Sequence, residues 1–349
     1  MTRNVNDQKR VKAPTIQDVA RHAAVAVGTV SRVINESPGV KPATRQRVLN
    51  AIGELDYSPN LIARSMACRR TDSVGVIVPF FTRPFFSEIL RGVEVAITRS
   101  EREFVLYNVQ SNEQCQSYFR ALPRQHKVDG LLVISLYPDD EAAAGFRKAN
   151  MPAVLIDAYH PSLTSLVVNN VEGAYQAVKC LIEHGHRRIG FINGITEGDF
   201  HFNVGNDRFI GLHRAFGEAG ILYEPDLVIT AAWDRQGGRQ AAMRLLMRPD
   251  RPTAIFAASD LQAVGVLEAA RSLNIPVPAH LSVVGFDGIE LSEIMELSTV
   301  QQPMQHMGEL GVQKLIAQIE GAADVGSRPE LIRLLPGLVQ RRTIAPPHL

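Results

Sequence analysis

At 349 residues the chain exceeds one compact core of ordinary size, so two or three domains are expected, and its 45% apolar content is that of an ordinary globular protein. No run of 18 apolar residues occurs and residues 1–14 are polar and mildly basic, which argues against a spanning helix and a secretory leader and predicts a cytoplasmic protein. The net charge of +1 conceals a split: residues 1–71 carry 12 Lys/Arg against 5 Asp/Glu, while the remainder carries 25 against 31, so a basic head rides on an acidic body.

In chain order, Thr15-Ile16-Gln17-Asp18 reads as a capping box that opens a first helix with Ile16, Val19, Ala20 and Ala23 on its apolar face. Ala24 to Ala26 make a short turn, and a second helix carries Val27, Val30 and Val33. A third starts with Pro42 at its first position, presents Val48, Ile52 and Leu55, and ends before Ser58-Pro59. Asn60 to Ala67 has the pattern of a fourth helix too short to be stable alone.

From Thr71 onward apolar strands alternate with amphipathic helices, the texture of a largely parallel sheet covered on both faces. Strands are predicted at Val74–Val78, Phe104–Asn108, Gly130–Ile134, Ala153–Ile156, Leu166–Val168, Ile189–Ile192, Leu227–Ile229, Ala254–Ala257 and Ser282–Gly285. A helix over Glu172–His184 buries Ala174, Val178, Leu181 and Ile182. That number of strands points to two α/β lobes rather than one sheet.

Two helices joined by a three-residue turn, in a basic head, suit a helix-turn-helix whose second helix, starting Val27-Gly28-Thr29-Val30-Ser31-Arg32, enters the major groove. The same spacing also fits a plain three-helix bundle. The wider string Thr15-Ile16-Gln17-Asp18-Val19-Ala20, Thr29-Val30-Ser31-Arg32-Val33-Ile34-Asn35 and Tyr57-Ser58-Pro59-Asn60-Leu61-Ile62-Ala63-Arg64 resembles the LacI family of bacterial transcriptional regulators (LacI/GalR type). In the body, Glu172-Gly173-Ala174-Tyr175, His184 to Gly190, Asn206 to Leu212, Ala258-Ser259-Asp260, Ser282 to Asp287 and Leu335 to Arg341 follow in that family's order, so the resemblance covers nearly the whole chain.

The resemblance implies an all-α helix-turn-helix head on a two-lobed α/β effector domain like that of periplasmic binding proteins. It divides the chain into a flexible basic arm (1–14), a DNA-binding domain (15–59), a hinge helix and linker (60–71), an effector-binding and dimerisation domain (72–342) and a tail (343–349). The first lobe would take residues 72–167 and 304–320, and the second 168–303 and 321–342. Contacts with an approximately palindromic operator carry over onto Thr15, Val27, Gly28, Thr29, Ser31, Arg32, Asn35, Thr44, Tyr57, Asn60, Ala63, Arg64 and Met66. Arg32 can donate to guanine or phosphate, and Val27 either touches a thymine methyl or faces the bundle core. Met66 stands where the family wedges Leu into the minor groove, a role an unbranched apolar chain can fill. Gly28, Ala24 and Ala26 depart from the family's pattern: one base reader, a turn glycine and a capping serine are missing.

Effector contacts carry over onto Phe80, Phe86, Ser135, Asp157, Arg208, Trp233, Asp260, Asp287 and Gln302. Carboxylates and a guanidinium hydrogen-bond adjacent hydroxyls while aromatic faces pack on C–H surfaces, the chemistry of a sugar pocket; a purine is the minority alternative within the family. Trp233 is equally well read as a buried core residue. His184 and His186 have no third ligand nearby, the three cysteines lie far apart, and no HExxH, GxSxG, P-loop or GxGxxG after a strand occurs, so neither metal, cofactor nor catalysis is expected. The expected protein is a homodimeric repressor of carbohydrate-utilisation genes, without the leucine-heptad tail that makes tetramers.

Overall fold

Thr15 caps helix α1 (Ile16–His22) as the capping box requires: the Asp18 N–H donates to Thr15 Oγ1 at 3.4 Å and the Thr15 N–H to the Asp18 carboxylate at 2.9 Å. The computed structural model describes residues 14–34, 37–57, 71–195, 203–321 and 328–348, and the chain divides into two units, Met1–Thr71 and Asp72–Leu349. In the first, α2 (Val27–Ile34) and α3 (Pro42–Glu54) complete a bundle around Val19, Ala20, Ala23, Val30, Val33, Val48 and Ala51. The turn between α1 and α2 is made without its favoured residues. Ala24 sits at φ +49°, a region that disfavours a Cβ, and the Ala26 carbonyl accepts from the Thr29 and Val30 N–H groups while its side chain has no oxygen to offer the others.

Among the described residues the second unit holds two six-stranded sheets. In chain order the first is built from β1 (Ser73–Pro79), β2 (Glu103–Val109), β3 (Gly130–Ile134), β4 (Ala153–Ile156) and β5 (Thr164–Val168). The second takes β6 (Ile189–Gly194), β7 (Val228–Ala231), β8 (Ala254–Ala257), β9 (Ser282–Asp287) and β10 (Ser298–Gln301). The last two strands are shared out: β11 (Leu331–Leu334) joins the first sheet beside β5, and β12 (Gly337–Val339) joins the second beside β10 as the antiparallel pair. The spatial orders are β2-β1-β3-β4-β5-β11 and β7-β6-β8-β9-β10-β12. In each, the order reverses beside the first strand, which creates a crevice at the carboxyl ends of β1 and β3 and of β6 and β8.

The helices between strands are α4 (Pro84–Arg99), α5 (Asn112–Gln125), α6 (Asp140–Lys148), α7 (Asn170–Glu183), α8 (Val204–Ala219), α9 (Arg235–Leu246), α10 (Asp260–Ser272), the short α11 (Glu290–Ile294) and α12 (Met304–Ile319). They cover both faces of each sheet, so β1 is buried along its length: Val74, Val76 and Val78 enter one core cluster, and Ile77, pointing the other way, enters the next. Helix α12 returns to the first lobe and packs on α4 at backbone contact. A Cβ on Gly92 would lie 1.9 Å from the Gln305 carbonyl oxygen and one on Gly308 2.1 Å from that of Ile89, so both positions require glycine.

Three departures from expectation stand out. Residues 321–342 do not lie wholly in the second lobe, because Leu331–Leu334 pairs in parallel with β5. Strands β10, β11 and β12, four, four and three residues long, were not predicted; such short, partly polar segments become strands only because a neighbour offers its edge. The predicted strand at Leu227 also begins one residue later, after a 3-10 turn at Pro225–Leu227.

Candidate functional site

On the head, α2 divides cleanly. Val30 and Val33 are buried, whereas Val27, 41% exposed, stands outside the core together with exposed Gly28 and Arg32 and half-buried Thr29 and Ser31. Of the two readings open for Val27, the core reading falls. A Cβ on Gly28 would meet no atom within 4 Å, so nothing in the bundle demands glycine there. Thr44 lies half-buried in the first turn of α3, exposed Thr15 caps α1, and half-buried Tyr57 packs against the bundle core. Arg45, not among the expected residues, donates from Nη2 to the Ser37 carbonyl at 3.2 Å and ties the segment after α2 to α3. Asn35, Asn60, Ala63, Arg64 and Met66, with the segment expected to form a hinge helix and most of the arm, lie outside the described residues.

In the body, the carboxyl ends of the strands converge on a cavity that encloses about 650 Å³ of empty space, part of it open to solvent. Six of the nine expected residues line it: Phe86, Ser135, Asp157, Arg208, Trp233 and Asp287. Ser135 follows β3 at φ +50°, Asp157 follows β4 at φ +55°, and Asp287 ends β9 at φ +123°. Conformations that an L side chain resists therefore occur at strand ends facing the cavity, where the surrounding fold has to hold them.

Ser135 Oγ donates to the Asp157 carboxylate at 2.6 Å. Burial pushes the Asp157 carboxyl up to about 6, although the Ser135 bond and the Arg208 charge pull the other way. Arg208 emerges from the buried stripe of α8, spaced three residues from Gly205 and from Gly211. Its Nε donates to Asn170 Oδ1 at 3.1 Å, Nη1 donates to the Ala258 carbonyl, and Nη2 is 3.7 Å from Asp287 Oδ1. The guanidinium carbon lies 3.7 Å from the centre of the Phe286 ring and 5.7 Å from that of Trp233. The indole donates to the Ile195 carbonyl at 2.8 Å and lies flush on the backbone, since a Cβ on Gly194 would fall 1.8 Å from the ring.

Three expected residues do not line the cavity. Phe80, at φ +47°, packs against both core clusters of the first lobe beneath the Arg83 guanidinium, 4.0 Å from its ring centre. Asp260, fully buried, spends its carboxylate on the protein: Oδ2 accepts from the Gly288 and Ile289 N–H groups at 2.7 and 2.9 Å, and Oδ1 from Thr299 Oγ1 at 2.5 Å. Gln302 donates from Nε2 to Asp287 Oδ1 at 2.8 Å and so supports a lining residue rather than being one. Burial pushes the Asp260 and Asp287 carboxyls up, the Asp287 charge adding to it at Asp260 and the Asp157 charge at Asp287, while Arg208 draws Asp287 back down.

The rest of the lining, Arg83, Pro84, Phe85, Val204, Ser259, Leu261 and Ile289, was not singled out. Phe85 stands with Phe80, Phe81 and Phe86 in a cluster after β1 that Arg83-Pro84 interrupts, and Ser259 lies in the Ala258-Ser259-Asp260 motif, so a weak signal exists. Ile289 had none, because it reaches the cavity through the turn that Asp260 holds. His186 is engaged structurally, at 2.9 Å from Thr253 Oγ1, Ser282 Oγ and the Ala345 carbonyl, and among the described residues no group of three His, Cys, Asp or Glu is placed to hold a metal ion. No helix of the described residues is long and apolar enough to cross a membrane.

Comparison with known proteins agrees with both halves. A family model for bacterial regulatory proteins of the lacI family matches residues 15–60, and one for a periplasmic binding protein-like domain matches residues 178–344. The HTH-type transcriptional repressors PurR of Yersinia enterocolitica and of Erwinia tasmaniensis are each 34% identical, over 95% of this chain and 97% of theirs. Among solved structures, a lac repressor dimer bound to operator and the anti-inducer ONPF is 27% identical with a TM-score of 0.82, covering 96% of this chain and all of that one. A complex of the transcriptional regulator CelR with cellobiose is 34% identical with a TM-score of 0.68, over 95% of this chain and 99% of that one. A ribose-bound LacI-family regulator from Enterococcus faecium is 25% identical with a TM-score of 0.68, over 78% and 99%. The chain belongs to the lacI family of bacterial regulatory proteins and is a DNA-binding transcriptional repressor with a periplasmic-binding-protein-like effector domain.

Proposed function

We propose that the protein acts in the cytoplasm as a homodimeric repressor of carbohydrate-utilisation genes, and that a small sugar in the cleft of its body sets its affinity for an approximately palindromic operator. The observation that carries the sugar reading is the pairing of Ser135–Asp157 and Arg208–Asp287 with an aromatic wall of Phe85, Phe86 and Trp233. Hydroxyls donate to the carboxylates and C–H faces pack on the rings. The cellobiose and ribose bound by two structural neighbours support it. A purine base is the second reading, favoured by the 34% identity to PurR and by the flat indole laid on Gly194.

On the head, Val27, Gly28, Thr29, Ser31 and Arg32 would meet base edges and phosphates, with Thr15, Asn35, Thr44 and Tyr57 on the backbone and Asn60, Ala63, Arg64 and Met66 in the hinge. Control requires the effector to favour one arrangement of the lobes, and DNA must then change effector affinity by the same factor. The site binds without turnover and needs no cofactor. Selecting sheared genomic DNA on the purified protein, with and without a pooled sugar library, tests the reading. Enrichment of a palindrome that sugars shift is expected, and failure to enrich any site, or turnover of a bound sugar, would contradict it.

A further inference from the structure

Four carboxylates, Asp157, Asp207, Asp260 and Asp287, act on the single guanidinium of Arg208, and all but half-buried Asp207 are buried. Two of the five N–H groups of Arg208, on Nε and Nη1, are spent on the neutral oxygens of Asn170 and Ala258, and Nη2 is nearest Asp287. Bidentate recognition of a phosphate or carboxylate is the usual use of a pocket arginine, and here Nε and one N–H of Nη1 go to the protein while Asp287 offsets the charge. The other cation of the lining, Arg83, lies against the face of Phe80 at the start of α4. Among the described residues the lining holds two carboxylates, Asp157 and Asp287, against the two guanidiniums, and Asp207 and Asp260 add to the carboxylate side from outside it, around walls that are otherwise largely apolar. Such walls leave the field unscreened.

Resting on the sugar reading above, we propose that the cleft selects an uncharged polyhydroxy sugar and rejects the phosphorylated and carboxylated forms of the same sugar. Hydroxyl donors suit Asp157 and Asp287, which accept; an added anion meets the like charge of both carboxylates and finds Arg208 already drawn to Asp287. The groups facing Asp157 are Ser135 from the end of β3, Tyr137 beyond it, Asp207 and Arg208 from α8, and Asp287 from β9. Burial already pushes Asp157 up to about 6, so a neutral sugar that donates to its ionised form binds more tightly as pH rises from 5 to 7.5. An anion brings the opposite slope, because it favours the protonated carboxyls.

The test is calorimetric titration of the full-length protein at pH 5.5 and 7.5 with cellobiose, ribose, glucose and galactose, beside ribose 5-phosphate, glucose 6-phosphate, glucuronate and hypoxanthine. The expected result is binding of at least one neutral sugar, tighter at pH 7.5, with its phosphate or uronate at least tenfold weaker. A phosphate or uronate that binds as tightly as its parent at pH 7.5 overturns the charge selection and leaves the sugar reading standing. Binding of hypoxanthine alone, or of no compound, overturns the sugar reading and the selection with it.

Discussion

The proposed DNA-reading helix and the proposed effector cleft solve opposite problems. In the head, α2 buries Val30 and Val33 and turns Val27, Gly28 and Arg32 outward, so these proposed readers can change without touching the core. In the body, the lining residues are part of the packed interior, with Asp157, Arg208 and Asp287 each less than a tenth exposed, so recognition and stability share the same atoms. Substitutions at the cleft should therefore register in stability and ligand binding together, and those on the head in one or the other.

The largest effect is expected at Asp260. Asp260→Ala would orphan the Gly288 and Ile289 N–H groups and the Thr299 hydroxyl and cost the body about 3 kcal/mol, measured by urea denaturation. A loss below about 0.5 kcal/mol would mean the turn at 287–289 does not depend on this carboxylate.

Asp157 sharpens the contrast by separating stability from binding. Its folded pKa of about 6 lies above the ordinary 3.8, so the folded state holds the proton more tightly and loses stability as pH rises through that range. Asp157→Asn should raise stability by about 2 kcal/mol at pH 7.5, the gain vanishing below pH 4, while effector affinity falls. A pH-independent change in stability would contradict the buried, raised carboxyl.

Smaller effects are expected on the head. Ala26→Ser supplies the missing cap oxygen at the start of α2 and should stabilise the head by about 1 kcal/mol in thermal unfolding. Ala24→Gly relieves a left-handed alanine, a gain partly offset by the freer unfolded chain, and should add about 0.5 kcal/mol. Neither change should alter effector affinity.

The same contrast explains what was legible in the amino-acid string. Helices α1 to α3 follow from local signals, the Thr15–Asp18 capping box, Pro42 and the apolar period, and the structure adds only that Val27 is outside. Parallel strands with apolar runs were equally plain. Strands β10 to β12 were not, since Leu331–Leu334 is a strand only where β5 offers an edge. In the cleft, the lining positions of Arg208 and Asp287 come through the motifs that hold them, and that of Asp157 through its place after an apolar strand in the family's pattern. Asp260, Gln302 and Phe80 were placed in the same tier because sequence position cannot say whether a side chain faces the cavity or holds one that does. Ile289 was missed for the reverse reason, as nothing local marks a residue delivered by another residue's hydrogen bonds.

The central claim, that one region reads DNA and a separate one senses the ligand that controls it, is tested most directly by measuring affinity for the selected operator, with and without the identified effector, for the native protein, Arg32→Ala and Arg208→Ala. The account predicts that Arg32→Ala loses operator affinity at least tenfold and keeps effector affinity, whereas Arg208→Ala keeps operator affinity and no longer responds to the effector. Equal losses of both affinities in either variant would contradict it.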